Sequence, residues 1–283
     1  MAGIGGKGFW KKTLSHTVLI ATCFIMLYPV IWMFFSSFKP ESEIFTSASL
    51  LPSTWLPENY REGWFGTPRY SFGTFLSNSF FISISVVIGN VLSASLVAFA
   101  FGRLRFRLQS FWFGVMLVTM MLPAQVILIP QYVLYNKLHW IDTYLPMIVP
   151  NFLGATPFFI FLIVQFVRGL PRELDESATI DGCNTFQLYS RIIMPLCVPA
   201  LITTAIFSFI WTWDDFFSQL IYISTLSKYT VPLGLRLFLD ATSGSQWGPM
   251  LAMATVSILP SFIVFLSAQK YFVEGIATTG MKN

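Results

Sequence analysis

Residue types that perform catalysis are sparse in this chain. Its 283 residues include two histidines, His16 and His139, and three cysteines, and neither set has the spacing of a metal site or a disulfide framework. A Ser–His hydrolase or a metalloprotease needs a histidine beside its nucleophile or metal ion. We therefore predict that the chain is not an enzyme, and we expect no metal ion and no cofactor.

Polar residues form a recognisable pattern only within the segment 168–197. Pro171 suits a first helical turn, and the three acidic residues that follow it complement the positive end of the helix dipole (Glu173, Asp175 and Glu176). Gly182 suits the left-handed conformation that ends a helix. The pattern predicts one short helix that closes at Gly182.

A second short helix is predicted directly after the first. Asn184 and Gln187 have the spacing of a capping box, and Pro195 is expected to end this helix. An ordered helix–turn–helix of this length exceeds what a plain connection needs. Two interpretations follow: an amphipathic surface loop, or a lever that fits a groove in a partner protein.

The overall composition excludes most soluble classes of protein. Hydrophobic residues make up 55% of the chain and charged residues 11%, and the mean hydropathy is +0.67. Soluble domains average about 25% charged residues. A soluble enzyme, a disordered protein and a nucleic-acid-binding protein are therefore unsupported. The composition predicts an all-α membrane protein in contact with lipid.

Apolar runs long enough to cross a bilayer occur six times. A span needs about 20 mostly apolar helical residues, because backbone polar groups find no water in the hydrocarbon core. The predicted spans lie near residues 14–36, 74–101, 111–133, 144–167, 198–221 and 250–272. Five prolines, expected to kink the helices, crowd the third and fourth runs: Pro123, Pro130, Pro146, Pro150 and Pro157.

The distribution of basic residues predicts the orientation. With six spans, eleven of the 17 Lys and Arg residues fall on the side that holds both chain ends, and six fall on the other. The positive-inside rule then makes both termini cytoplasmic. The predicted organisation is a cytoplasmic segment 1–13, one membrane domain 14–272 that includes the cytoplasmic loop 168–197, and a cytoplasmic tail 273–283.

The long outer loop 37–73 permits two interpretations. It carries four large aromatic residues: Trp55, Tyr60, Trp64 and Tyr70. They could form an aromatic belt at the membrane interface, or a docking surface for an extracellular partner.

The segment after the fourth span resembles the EAA loop of ABC importer permeases. The resemblance rests on these residues: Glu176, Ser177, Ala178, Asp181, Gly182 and the closing Ile193, Met194 and Pro195. The family pattern has a Glu-Ala-Ala start, a glycine four residues after the second alanine, and an Ile-x-Leu-Pro close. Here Ser177 replaces the first alanine and Met194 the leucine, both similar in size.

Two other segments are similar to maltose-type permeases: Trp213–Asp214–Asp215–Phe216 and Thr230–Val231–Pro232–Leu233–Gly234–Leu235. The tail from Gln269 to Lys282 is similar to the tail of the MalG-type subunit of the same family. Asp214 replaces the asparagine of the family pattern. Trp213, Asp214 and Asp215 either line the translocation path or gate, or form an interfacial group hydrogen-bonded to neighbours.

The resemblance implies an ATP-driven importer for a carbohydrate, with an oligosaccharide as the favoured kind. It also implies a location in a bacterial or archaeal plasma membrane. It implies a heterodimer with a second permease, two cytoplasmic ABC ATPase subunits that bind the ATP, and an extracytoplasmic solute-binding protein. The coupling residues it implies are Glu176, Ser177, Ala178, Asp181, Gly182 and Pro195. The alternative is a self-sufficient secondary transporter or channel driven by an ion gradient, which needs ionisable residues in mid-membrane.

Overall fold

The structure, a computed structural model, describes residues 6–66, 70–239 and 244–280. Helices make up three quarters of the chain, and no strand occurs in these ranges, as the composition predicts. The first five residues of the predicted segment 1–13 and the last three of the tail 273–283 lie outside the described residues.

The helices follow one another with short connections. They are α1 (Gly6–Ser36), α2 (Glu41–Ile44), α3 (Glu58–Phe65), α4 (Phe72–Arg103), α5 (Gln109–Thr119), α6 (Ala124–Lys137), α7 (Leu145–Phe152), α8 (Pro157–Gly169), α9 (Glu173–Ile180), α10 (Thr185–Gln187), α11 (Met194–Leu196), α12 (Val198–Trp213), α13 (Phe217–Tyr222), α14 (Val231–Arg236) and α15 (Trp247–Gly280). A π-helical turn, Leu188–Ile193, joins α10 to α11, and a 3₁₀ turn, Leu226–Lys228, precedes α14.

Four helical stretches in the described residues are long and apolar enough to cross a membrane. They are Lys12–Ser36, Phe72–Arg103, Leu145–Gly169 and Trp247–Lys270. A fifth is possible if Thr185–Leu196 and Val198–Trp213, which meet at a bend of 77°, count as one span. The predicted first, second and last spans are confirmed as continuous helices.

The third predicted span is wrong as a single helix. α5 ends at Thr119 and α6 begins at Ala124, directly after Pro123. Proline has no N–H to donate and disfavours helical geometry in the residue before it, so the helix breaks there. The fourth predicted span corresponds to Leu145–Gly169, which is long and apolar enough to cross a membrane although residues 153–156 separate α7 from α8. A break at residues 214–216 divides the fifth predicted span. Six complete spans remain a prediction.

The chain forms two compact units. In the unit made of residues up to Phe72 and Leu235–Val256, the segment after α1 is folded by polar contacts. Lys39 is fully buried and its Nζ donates to the Ser49 carbonyl at 2.6 Å. The Asn59 amide donates to the carbonyls of Ser37 and Lys39 at 2.9 and 3.1 Å. Both interpretations of the aromatic residues in loop 37–73 stay open.

The unit made of Gly73–Gly234 and the residues from Ser257 onward has an apolar core around α8. Ile163, Val164 and Val167 of α8 are fully buried against small residues of α4, such as Ala98, and against the π-helical turn. Gly102 lets α4 and α8 approach closely, because a Cβ there would lie 2.4 Å from a Val167 methyl group. These contacts fix the end of α4 beside the segment that follows α8.

A charged cluster joins two loops of this unit. The Asp142 carboxylate accepts hydrogen bonds from the backbone N–H groups of Ser224 and Thr225 at 3.0 and 2.9 Å, and Lys228 Nζ lies 3.0 Å from its Oδ2. Burial acts to raise the pKa of Asp142, but the hydrogen bonds outweigh it and hold this pKa well below its usual range. The stabilisation of the folded state by the Asp142 carboxylate is therefore fully present at pH values above its unfolded-state pKa of about 3.9. It is lost as the pH falls from there through the lower pKa of the folded state.

Candidate functional site

α9 closes as the sequence predicts. Gly182 adopts a left-handed backbone with φ of +78°, and its N–H donates to the Thr179 carbonyl at 3.1 Å. The Cys183 N–H reaches back to the Ala178 carbonyl at 2.9 Å. These bonds satisfy carbonyls that a helix end leaves free. α9 begins at Glu173, two residues after Pro171, so the expectation that Pro171 lies in its first turn is wrong.

The second short helix starts with the predicted capping box. The Gln187 N–H donates to Asn184 Oδ1, and the Asn184 N–H donates to Gln187 Oε1, each at 2.8 Å. The helix continues through Pro195 to Leu196, so Pro195 does not end it as expected. Because Pro195 cannot donate a hydrogen bond, the preceding turn widens into the π-helix, and the chain bends at Cys197 into α12.

The predicted coupling residues divide into one inward and several outward positions. Ala178 is 3% exposed and faces the protein interior, whereas Glu176, Ser177, Asp181 and Gly182 are exposed. The small side chain of Ala178 therefore serves the packing of α9 within this chain. Gly182 has no atom within 4 Å of the place where a Cβ would stand.

Sequence reasoning missed two exposed apolar side chains on the same loop. Ile180 is 86% exposed and Phe186 is 70% exposed, and they flank the turn at Gly182. Large apolar groups on a polar loop mark contact surfaces. Their position around a helix-ending glycine was the sequence signal that could have identified them.

A buried arginine ties α9 to the end of α4. The Arg103 side chain is 2% exposed, and its Nη1 lies 3.4 Å from Asp175 Oδ2. Its Nη2 donates to the Leu170 carbonyl at 3.0 Å. The sequence places Arg103 among the eleven basic residues that predict the orientation, and Asp175 among the acidic residues that complement the helix dipole. Their contact depends on two residues 72 positions apart meeting in the fold.

The structure separates Trp213, Asp214 and Asp215. Trp213 is buried, its Nε1 donates to the Ser257 carbonyl at 3.0 Å, and its ring stacks on Phe209 with centroids 5.4 Å apart. Asp214 is exposed at the end of α12. Asp215 lies in the break before α13, and its Oδ1 accepts the Ser218 N–H at 3.1 Å.

Asp215 lines a cavity of about 360 Å³ between helices α4, α6, α7, α8, α12 and α13. Amide, hydroxyl and aromatic side chains dominate its wall: Asn90, Gln131, Asn151, Thr156, Ser208, Thr212, Gln219, Tyr135, Phe159, Trp211 and Tyr222. Asp215 is the single charged residue among the described lining residues. The cavity therefore offers hydrogen bonds and aromatic faces, and its one formal charge is negative.

Two polar atoms on this wall have no hydrogen-bond partner within the described chain. Asn90 Nδ2 donates to Ser208 Oγ at 2.7 Å, but Asn90 Oδ1 is buried without a partner, as is the Tyr222 hydroxyl. Buried polar groups in native proteins are normally satisfied. These two atoms are therefore suited to a polar ligand or to water in the cavity.

Comparison with known proteins identifies the family. Residues 91–277 match the family model described as the binding-protein-dependent transport system inner membrane component, and this range holds α9, Arg103 and every described lining residue of the cavity except Val86 and Asn90. The probable ABC transporter permease protein YurM of Bacillus subtilis (strain 168) is 34% identical over 99% of this chain and 89% of its own. The arabinooligosaccharides transport system permease protein AraQ of Halalkalibacterium halodurans is 30% identical over 96% of each chain.

One solved structure shares the fold. It is a chain from the crystal structure of a bacterial ABC transporter involved in the import of the acidic polysaccharide alginate, with 21% identity and a TM-score of 0.83. The likeness covers 96% of this chain and 100% of that one. The chain thus belongs to the inner membrane components of binding-protein-dependent transport systems, the permease subunits of ABC transporters, which are not themselves enzymes.

Proposed function

We propose that this chain is the permease subunit of an ATP-driven importer for a neutral carbohydrate, an oligosaccharide in the first instance. The observation that carries the substrate class is the cavity, where amide and hydroxyl groups surround Trp211 and Tyr222. Sugars present hydroxyl groups at their edges and apolar C–H faces that pack on aromatic rings. AraQ, which is named for arabinooligosaccharides, supports a carbohydrate, but UgpE of Brucella melitensis, which is equally similar, is named for sn-glycerol-3-phosphate, so the neutral charge of the substrate rests on the cavity alone.

The charge of the cavity argues against an acidic substrate. Asp215 would repel a carboxylate or phosphate, and no basic residue lines the described wall to offset it. The alginate importer handles an acidic polysaccharide, but its 21% identity carries over the fold alone. A neutral sugar therefore fits these side chains better than an acidic one.

The proposed topology has six spans with both ends in the cytoplasm. The region from α5 through α6 serves as the third span, broken at Pro123, and the bend at Cys197 leads into the fifth. Support comes from the basic residues that gather at one end of the helices, among them Arg103, Arg105 and Arg168. The loop 168–197 belongs to that end.

Coupling to the ATPase is assigned to the exposed face of this loop. Ile180 and Phe186 would enter a groove of an ATPase subunit, with Glu176 and Asp181 available to basic groups at its rim. The remaining partners are a second permease that completes the path and an extracytoplasmic binding protein that delivers the sugar. Closure of the ATPases on ATP would move α9, and Arg103 would transmit that movement to α4.

We expect this chain to be isolated in a stable assembly. A tagged chain, purified in mild detergent from its native host, should bring down one second permease and two ATPase subunits, identified by mass spectrometry. The double variant Ile180→Ala/Phe186→Ala should retain the second permease and bind the ATPase about thirtyfold more weakly, the effect of losing a hot spot worth about 2 kcal/mol.

The control for this variant is Ile129→Ala/Phe111→Ala, which removes an exposed isoleucine and phenylalanine outside the loop. It should keep the whole assembly. Recovery of the unaltered chain alone, folded and monodisperse, would contradict the proposal and favour a transporter driven by an ion gradient. Equal ATPase recovery in both double variants would remove Ile180 and Phe186 from the interface.

The substrate assignment predicts a specific defect for Trp211→Ala. Trp211 is 48% exposed and lines the cavity, and its ring stacks on Phe159 at 5.3 Å. Loss of this aromatic face should lower sugar uptake by about three- to tenfold, the value of an aromatic contact of about 0.5–1.5 kcal/mol. Uptake is measured with labelled sugar in proteoliposomes that contain the full transporter.

Trp112→Ala is the matched control, because Trp112 is 52% exposed but lies outside the cavity wall. Its uptake should equal that of the wild type. A defect of the same size in both variants would show that loss of any exposed tryptophan impairs transport, and the cavity would lose its assignment.

A further inference from the structure

A second cavity, of about 470 Å³, lies where the Arg103 end of α4, the start of α5 and the last turn of α8 meet. Four arginines line it: Arg103, Arg105, Arg168 and Arg172. Gln109 and Ser110 add an amide and a hydroxyl, and no acidic residue is present in the described lining. This arrangement is separate from the cavity assigned to substrate.

Most of this positive charge is not neutralised by the residues that the structure describes. Arg103 pairs with Asp175, but its Nε is buried and has no hydrogen-bond partner. Arg168 lies 4.5 Å above the Phe113 ring and donates to the Phe101 carbonyl at 3.4 Å, contacts that leave its charge uncompensated. In the described part of the chain, no carboxylate comes within 4.0 Å of Arg105 or Arg172.

Clustered guanidinium groups select phosphate oxygens. Each presents several N–H donors in a planar fork, which suits bidentate contact with a phosphate or phosphodiester. The wall is also held in place: Gln109 Nε2 donates to the Phe101 carbonyl at 2.9 Å, and Gly102 packs directly on Val167. Arg103 is buried at this site, and the exposed guanidinium groups of Arg105, Arg168 and Arg172 lie around it, so the cavity is suited to an anion.

The surroundings of the cavity indicate a lipid rather than a soluble anion. Exposed apolar side chains follow the arginines along the chain: Phe106, Leu108, Phe111 and Trp112. The cavity also adjoins the ends of two membrane-crossing stretches, Phe72–Arg103 and Leu145–Gly169. Headgroup phosphates lie at this level of a bilayer, and basic pockets between helices bind anionic headgroups.

We propose that this cavity binds the phosphodiester headgroup of an anionic phospholipid, with the acyl chains along Phe106 and Leu108. The bound phosphate would sit beside Arg103, the residue that links α4 to α9. Lipid at this position would hold the coupling loop against the membrane surface. The membrane composition would thereby affect the stability of this end of the protein.

The test measures lipid binding by native mass spectrometry. The transporter, purified through a tag on this chain with the subunits that accompany it, is titrated in detergent with phosphatidylglycerol or phosphatidylcholine. We expect selective retention of phosphatidylglycerol. In Arg105→Gln/Arg172→Gln that retention should weaken by about thirtyfold, and in Arg105→Gln alone by about fivefold, the value of about 1 kcal/mol for each basic residue near an anionic headgroup. Both variants keep the Arg103–Asp175 pair.

Arg107→Gln is the control, because it removes the same charge from the same connection but does not line the cavity. It should bind phosphatidylglycerol like the wild type. Equal weakening in Arg107→Gln would overturn the proposal in favour of general electrostatic attraction. Inorganic phosphate added as a competitor separates the two sources of the anion: if it displaces the lipid at comparable concentration, the site is for a soluble phosphate.

The lipid-binding proposal and the importer proposal are tested by separate measurements. The lipid readout requires no substrate and no ATP, so its loss leaves the importer proposal intact. Failure of sugar uptake likewise leaves the lipid titration interpretable.

Discussion

Gly182→Val is expected to reduce transport to background while the protein still accumulates in the membrane. The open space at Gly182 would accept a side chain, since nothing lies within 4 Å of a built Cβ. The backbone would not, because φ is +78° and a side chain in the left-handed region costs about 1–2 kcal/mol. A β-branched residue is the least tolerant of this geometry. The turn should open, and Ile180 and Phe186 should lose their relative placement.

Gly169→Val provides the control for bulk. Gly169 also has open space around a built Cβ and lies at the start of the same loop, at the last residue of α8, but its φ is not positive. It should transport normally. Uptake is measured in proteoliposomes, and the amount of inserted protein by immunoblot of washed membranes. Normal uptake by Gly182→Val would contradict a coupling role for this turn.

Gly182→Asn separates two causes of the defect. Asparagine adopts the left-handed region more readily than other residues with a side chain. If the conformation alone matters, this variant should recover a large part of the uptake that valine abolishes. If uptake stays at background although α9 still ends at Ile180, then the ATPase subunit must approach position 182 closely, and any side chain there obstructs it.

The second large effect is expected at the link between α4 and α9. Arg103→Met should destabilise the protein by about 3 kcal/mol, because it removes a buried member of an ion pair and leaves Asp175 and the Leu170 carbonyl without their donor. Thermal unfolding of the purified transporter measures this change. Sugar transported per ATP hydrolysed should fall as well, because α9 is no longer held to the end of α4.

The double variant Arg103→Met/Asp175→Leu distinguishes positioning from stability. An apolar pair of similar volume often replaces a buried ion pair without loss of stability. We therefore expect the thermal stability to recover, while the coupling ratio stays low because no directional bond reaches Leu170. Recovery of both would show that Arg103 acts through stability alone. Arg107→Met, at an exposed arginine nearby, should match the wild type in both measurements.

Features governed by neighbouring residues were determined by the sequence. The apolar runs of α1, α4 and α15 were identified because lipid requires every backbone group to be bonded within its own helix. The Gly182 turn and the Asn184–Gln187 capping box were also predicted correctly, since both depend on residues three or four positions apart. The EAA-like motif led to the family before any contact was known.

Only the tertiary structure decided which distant residues meet. The breaks that open the third and fifth predicted spans leave Asp215, which lies between α12 and α13, on a cavity wall with Asn90 of α4 and Asn151 of α7. The pairing of Arg103 with Asp175 and the pocket shared by Arg105 and Arg168 likewise arise where the ends of α4 and α8 meet the start of α5. Apolar periodicity gives the length of each helix. It does not give the side-chain packing, here Val167 against Gly102, that sets which helix ends are neighbours.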